Sequence, residues 1–210
     1  GFRMNFHKRD MMERKVIGST DSYKPSLEEA KEAVKTLILW AGDNPEREGL
    51  LETPDRVAKA FNEWFRGYGE DPKAILGKTF KEVEEYCHPV SLNQIPFESY
   101  CEHHIAPIIG HVNISYIPNG QVVGISKLAR LVDLYSKRLQ VQEKMTSQIA
   151  QAIQKYLKPN GVAVRVEGDH HCMCTRGVNK KGISMVTTTF LGDFSKNLAL
   201  REEFISNAKK

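Results

Sequence analysis

The chain has 210 residues, enough for one large domain or for one domain with a helical extension. Its 40% hydrophobic and 27% charged content is ordinary for a soluble globular protein, and no apolar run approaches the roughly 20 residues that cross a bilayer. A net charge of +4 suits a small anionic substrate, and without an arginine-rich block or an aromatic–basic motif it gives no support to nucleic acid as a partner.

The segment from Met4 to Asp10 is charged and lacks the apolar centre of a signal peptide, so the expected location is the cytoplasm. Residues 1–25 show no sustained periodicity and read as a flexible arm. Ser26-Leu27-Glu28-Glu29 reads as a capping box, with Leu27, Ala30, Val34, Leu37 and Ile38 following at helical spacing up to Gly42. Thr53-Pro54 opens a second helix carrying Val57, Phe61, Trp64 and Phe65 to a stop at Gly67. Asp71-Pro72 through Gly77 is a shorter helix of the same design, so residues 26–78 form a helical N-terminal region.

Residues 79–210 change character and read as an α+β domain. Val90–Phe97 and Ile108–Pro118 are strand-like, and Asn119-Gly120 signals a hairpin turn into Gln121–Ile125. Ser126 is placed to cap a helix bearing Leu128, Leu131, Val132, Tyr135 and Leu139, and a second helix spans Gln142 to Leu157. Val162–Val166 and Ile183–Phe190 complete the strands, and Leu198–Ile205 is the last helix. Two hairpins separated by a helix pair make an antiparallel α+β domain.

Chemistry concentrates in two clusters. Cys101-Glu102-His103-His104 sets a thiolate and two imidazoles within four residues, a donor mixture that zinc favours. One thiolate and one imidazole suffice from this cluster, which leaves the other imidazole for acid–base work. Further ligands must come from elsewhere, and Asp169-His170-His171-Cys172-Met173-Cys174 offers them. Four cysteines in a reducing compartment argue for metal or catalysis over disulfides, although Cys87 beside His88 reads as an ordinary strand cysteine. Lys127 and Arg130 share one face at a helix start, where cations oppose the helix dipole unless an anion is held there. Arg176, Arg56 and Lys59 are further cations, and spacing leaves open whether these groups surround a polyphosphate or form solvated charged faces. Glu143 either favours its helix dipole or accepts two adjacent N–H groups, such as a guanine edge, and spacing alone leaves both open.

Four blocks, Cys101–His104, Gly124–Arg130, Gln140–Glu143 and His170–Gly177, resemble the signature blocks of the GTP cyclohydrolase I family in order, and Thr53–Lys59 matches a further one. The resemblance runs from about Pro45 to Gly192 and leaves the arm uncovered. It implies a hydrolase that turns GTP and water into formate and 7,8-dihydroneopterin triphosphate, the first step toward tetrahydrofolate-type pterins. By position it implies Zn2+ on Cys101, His104 and Cys172, three ligands with an open place for water. It places His170 as the acid that protonates N7 of the guanine, His103 as a second proton carrier, and Ser126 at the ribose. Glu143 would hold the guanine N1 and N2 hydrogens with Gln142 close by, and Lys59, Lys127, Arg130, Arg176 and Arg56 the triphosphate. The implied fold is the tunnelling fold, closed by several subunits into a homodecamer, a toroid of two pentamers with sites between chains. Closure would also remove the unpaired strand edges of a single chain. His171 and Cys174 add potential ligands beside the matched positions. Two rival readings are a zinc-stabilised interaction module without turnover, and another pterin or deazapurine enzyme of the same fold. The first predicts four closed ligands. The second fits the Cys-Glu-His-His block with a remote His-x-Cys poorly.

Overall fold

A computed structural model describes residues 24–81, 85–171 and 183–209 of the chain. By its internal packing the chain divides into two compact units, Gly1–Asn62 and Glu63–Lys210.

In the first unit, helix α1 (Leu27–Ala41) begins where the sequence places it. The Ser26 hydroxyl accepts from the Glu29 backbone N–H at 3.2 Å, and Gly42 closes the helix in the left-handed region at φ +99°. Helix α2 (Thr53–Trp64) starts on the Thr-Pro pair and runs across the division between the units. It ends three residues before Gly67, because the chain tightens there into a 3₁₀ turn over Arg66–Gly69. Helix α3 (Pro72–Leu76) is capped by Asp71, whose carboxylate accepts from the Lys73 N–H at 3.0 Å.

The second unit is built on β2 (Val90–Cys101), β3 (Pro107–Ile117), β5 (Leu139–Gln140), β6 (Gly161–His170) and β7 (Met185–Gly192), in the order β5-β2-β3-β6-β7. The short strands β1 (Thr79–Phe80) and β4 (Val122–Val123) pair with each other. All pairings are antiparallel except β5 with β2. Helices α4 (Ile125–Ser136) and α5 (Gln142–Leu157) cover one face of the sheet. Leu128, Leu131, Met145, Ile149 and Ile153 meet Val112, Ile114, Val164 and Val166 there, alternate residues of each strand pointing to the helices. The opposite face is polar along most of its length: the Ser91 and Ser115 hydroxyls pair at 2.9 Å, and Arg165 and His111 flank Glu167 at 3.1 and 3.3 Å. Its far end is closed by Phe194 of α6 (Asp193–Lys196) and Phe204 of α7 (Leu198–Ala208). The observed class is α+β, as expected.

Three local expectations are corrected. The Asn119-Gly120 turn exists, with Gly120 at φ +85°, but the strand after it does not fold back on β3. Both edges of β3 are taken, by β2 and β6, so β4 pairs with β1 instead. Ser126 is not the cap of α4; the helix starts one residue earlier, behind Gly124, and no side chain caps it. Cys87 is exposed and lies ahead of β2, in no strand.

Candidate active site

The Cys101–His104 cluster forms where β2 runs out. Cys101 is the last residue of that strand, 7% exposed, with its side chain on the helix-covered face. A tight turn follows: the Ile105 N–H donates to the Cys101 carbonyl and the Cys101 N–H to that of Ala106, both at 2.8 Å, with Ile105 at φ +54°. This turn lifts His103 and His104 into solvent. Their rings lie 6.4 Å apart, and His103 Nδ1 is 3.8 Å from Cys101 Sγ. A buried thiol with exposed imidazoles beside it is a donor set that fits zinc. Among the described residues no group of three or more ligating side chains converges on one point. Cys172, the remote ligand expected from the sequence, lies outside the described residues, as do Cys174 and Arg176.

His170 ends β6 opposite Ile108, at the same end of the sheet and on the same face as Cys101. One strand, β3, stands between them, and Cys101 lies two residues past Ser99, the residue in register with Ile108 and His170, so their backbones are roughly 12 Å apart. The register also carries β5 to this end, Gln140 lying opposite Cys101, and α5 therefore begins here. Its first residue, Gln142, reaches His170 with Oε1 2.7 Å from the ring Nε2. Burial pushes the His170 imidazole below its ordinary pKa, and the nearby charges of Glu143 and Asp169 only partly offset this. Glu143 is exposed on the first turn of α5.

Among the described cations of the second unit, Lys127 and Arg130 do not gather here. Helix α4 leaves β4 beside the β2 start, where the Val123 N–H donates to the Tyr116 hydroxyl and Tyr116 lies opposite Val90. It then runs toward the Cys101 end, reaching Lys137 near Glu98 at 3.8 Å. Ser126, Lys127 and Arg130 sit on its first turns, so Ser126 stands about 15 Å from the helix end nearer Cys101 at 1.5 Å of rise per residue. Arg56 and Lys59 belong to the first unit, where each makes an exposed ion pair one helical turn away, with Glu52 at 2.7 Å and Asp55 at 2.8 Å.

Residues 30–209 match the family model described as GTP cyclohydrolase I. The chain is 53% identical over 189 residues to GTP cyclohydrolase 1 of Maricaulis maris (strain MCS10), covering 90% of this chain and 92% of that one. It is likewise 53% identical over 183 residues to the Brucella suis (strain ATCC 23445 / NCTC 10510) protein of that name, covering 87% and 86%. The chain belongs to the GTP cyclohydrolase I family. Among solved structures it is similar to an archaeosine synthase (QueF-Like) in the apo form, with TM-score 0.39 and 19% identity over 51% of this chain and 94% of that one. A dihydroneopterin aldolase from Burkholderia thailendensis bound to guanine gives TM-score 0.38 and 12% identity over 51% and 93%.

Within this family member, two residues against Gln142, the partner of His170, escaped the sequence reading. Thr187 on β7 accepts from the Gln142 amide at 3.1 Å, and Gly168 lies where a Cβ would stand 2.8 Å from Gln142 Oε1. Their partner is 45 and 26 positions away in the chain, a separation at which local pattern carries no signal.

Proposed function

We propose that this protein hydrolyses the guanine imidazole ring of GTP, releasing formate and leaving 7,8-dihydroneopterin triphosphate, the entry to tetrahydrofolate-type pterins. Family membership over most of the chain carries the reading, and the thiol and imidazoles at one sheet end support it. Cys101, His104 and Cys172 would hold zinc, which when bound supplies the Lewis acidity that makes water nucleophilic near neutral pH. His170 donates a proton to N7 of the guanine, which makes C8 electrophilic. An imidazolium whose pKa is lowered by burial gives that proton up more readily. His103, exposed beside Cys101, carries protons during ring opening and formyl hydrolysis. Glu143 accepts from guanine N1–H and N2–H and fixes the ring in place. Lys127, Arg130, Arg176, Lys59 and Arg56 take the triphosphate, and Ser126 the ribose.

Ser126, Lys127 and Arg130 stand on the first turns of α4, whereas Cys101 and His170 lie toward its other end. That separation supports sites completed between subunits, with Ser126, Lys127 and Arg130 of one chain serving Cys101 and His170 of its neighbour. The assembly is a homodecamer, a toroid of two pentamers in the tunnelling fold, working in the cytoplasm. Among the described residues no helix is long and apolar enough to cross a membrane. Zinc-loaded protein incubated with GTP, then oxidised, should develop pterin fluorescence; a zinc-dependent fold with no turnover would favour an interaction module instead.

A further inference from the structure

Gln142 is 1% exposed, and its hydrogen bonds fix which way its amide faces. Its Nε2 lies 2.9 Å from the Met185 carbonyl oxygen, 3.2 Å from that of Val166 and 3.1 Å from the Thr187 hydroxyl. Carbonyl oxygens only accept, so a flipped amide would set oxygen against oxygen at two places. Oε1 therefore faces His170 Nε2 at 2.7 Å. An amide oxygen has no proton to give, so the proton in that bond belongs to the imidazole.

Hydroxyls hold the arrangement in one sense. The Thr146 hydroxyl donates to the Gln142 carbonyl at 2.7 Å, so in its 2.7 Å contact with Thr187 the latter is the donor. The Thr187 lone pairs then remain for the Gln142 amide. Gly168 leaves the space: a Cβ there would come within 2.8 Å of Oε1 and 3.0 Å of the Ile108 methyl.

We propose that Gln142 is a positioning residue that holds His170 in one ring orientation with a proton on Nε2, so that Nδ1 is the nitrogen offered to the substrate. Gly168 is the glycine that gives this amide room. The inference rests on His170 being the proton donor to guanine. In the neutral ring Nδ1 is the acceptor; in the protonated ring Nδ1–H is the proton free to leave, while Nε2–H stays with Gln142. Gln142 thus acts through His170 rather than on the guanine, because its amide is shielded from solvent and its two N–H bonds are spent on Met185, Val166 and Thr187.

The test uses the zinc-loaded enzyme. Solid-state nitrogen NMR of histidine-labelled protein at alkaline pH reads the tautomer directly, with the His170 lines assigned by their loss in His170→Asn. A protonated Nε2 and a bare Nδ1 are expected, and the reverse overturns the proposal. This readout needs no turnover, so it stands even if GTP is not the substrate. Kinetics supply the second arm. Gln142→Met removes the amide, whereas Gly168→Ala keeps every group and displaces Oε1. Both should lower kcat at least about 10-fold, within the about 10²–10⁴-fold that acid–base help is worth, with KM for GTP moved less than about twofold. A raised KM with unchanged kcat would put Gln142 on the substrate and overturn the assignment, as would no change in either constant. If Gln142→Met fails to fold, the wild-type spectrum and Gly168→Ala decide the matter.

Discussion

Replacing Glu143 by alanine separates a substrate contact from a helix-stabilising charge. The side chain is exposed on the first turn of α5, so its removal leaves neither a cavity nor an orphaned buried group. The structural cost is the loss of a favourable charge at a helix start, about 0.3–1 kcal/mol. That corresponds to a fall in melting temperature of no more than about 2–4 °C for a chain of this size. The binding cost is larger. Two charge-assisted hydrogen bonds to guanine, each worth about 1.5–3 kcal/mol, sum to about 3–6 kcal/mol. At about 1.36 kcal/mol per factor of ten, kcat/KM should drop roughly 10²–10⁴-fold. Steady-state kinetics with GTP, zinc content and thermal melts form the assay. Inosine triphosphate, which lacks the 2-amino group, sharpens it: the wild type should lose about one hydrogen bond's worth of kcat/KM on this substrate, and the variant nothing more. A kcat/KM within a few-fold of wild type, or an equal inosine penalty in both proteins, would refute the contact.

Cys172→Ser should lose zinc and activity while circular dichroism keeps its helical signal; full zinc occupancy would remove Cys172 from the ligand set. Mixing His170→Ala chains with chains lacking Ser126, Lys127 and Arg130 should restore roughly a quarter of wild-type activity after co-assembly, from random pairing of two complementary ends. No recovery would place each site within one chain. Gly110→Ala should destabilise the sheet by several times the about 1 kcal/mol typical of a point mutation, because a Cβ there would collide with the Glu167 carbonyl oxygen on the paired strand. Denaturant melts read that loss, and unchanged stability would contradict the strand spacing. Burial pushes the Glu167 carboxyl up, but hydrogen bonds from Arg165 and Ser184 outweigh it and hold the group below its ordinary pKa. Its contribution is therefore complete above the unfolded-state value, about 4.3, and is lost as pH falls through the lower folded-state value. The stability gap between wild type and Glu167→Gln should close in that acid window; a gap that widens there would reverse the sign.

Much of the fold was legible where cause and effect are neighbours in the chain. The Ser26 cap, the Gly42 stop and the span of α5 depend on residues within a turn of each other. The Cys101–His104 cluster is contiguous, so its donor set could be read before any fold was known. The Asn119-Gly120 turn was also legible, but the partner of the next strand was not, because the occupied edges of β3 decide where β4 goes. The same limit applies to Gln142. Its neighbours in sequence suggest a guanine contact, whereas the register of β6 and β7 surrounds it with His170, Val166, Met185 and Thr187. The split between the two ends of α4 likewise needed the fold, since Ser126 opens that helix while Gln140, beyond its other end, is paired beside Cys101.

The most direct test follows carbon 8 of the guanine. Zinc-loaded enzyme given GTP labelled at that carbon should release one labelled formate for each GTP consumed, with the triphosphate retained on the pterin product. Consumption of GTP with the label still in a purine, or release of phosphate without formate, would contradict ring hydrolysis as this protein's activity.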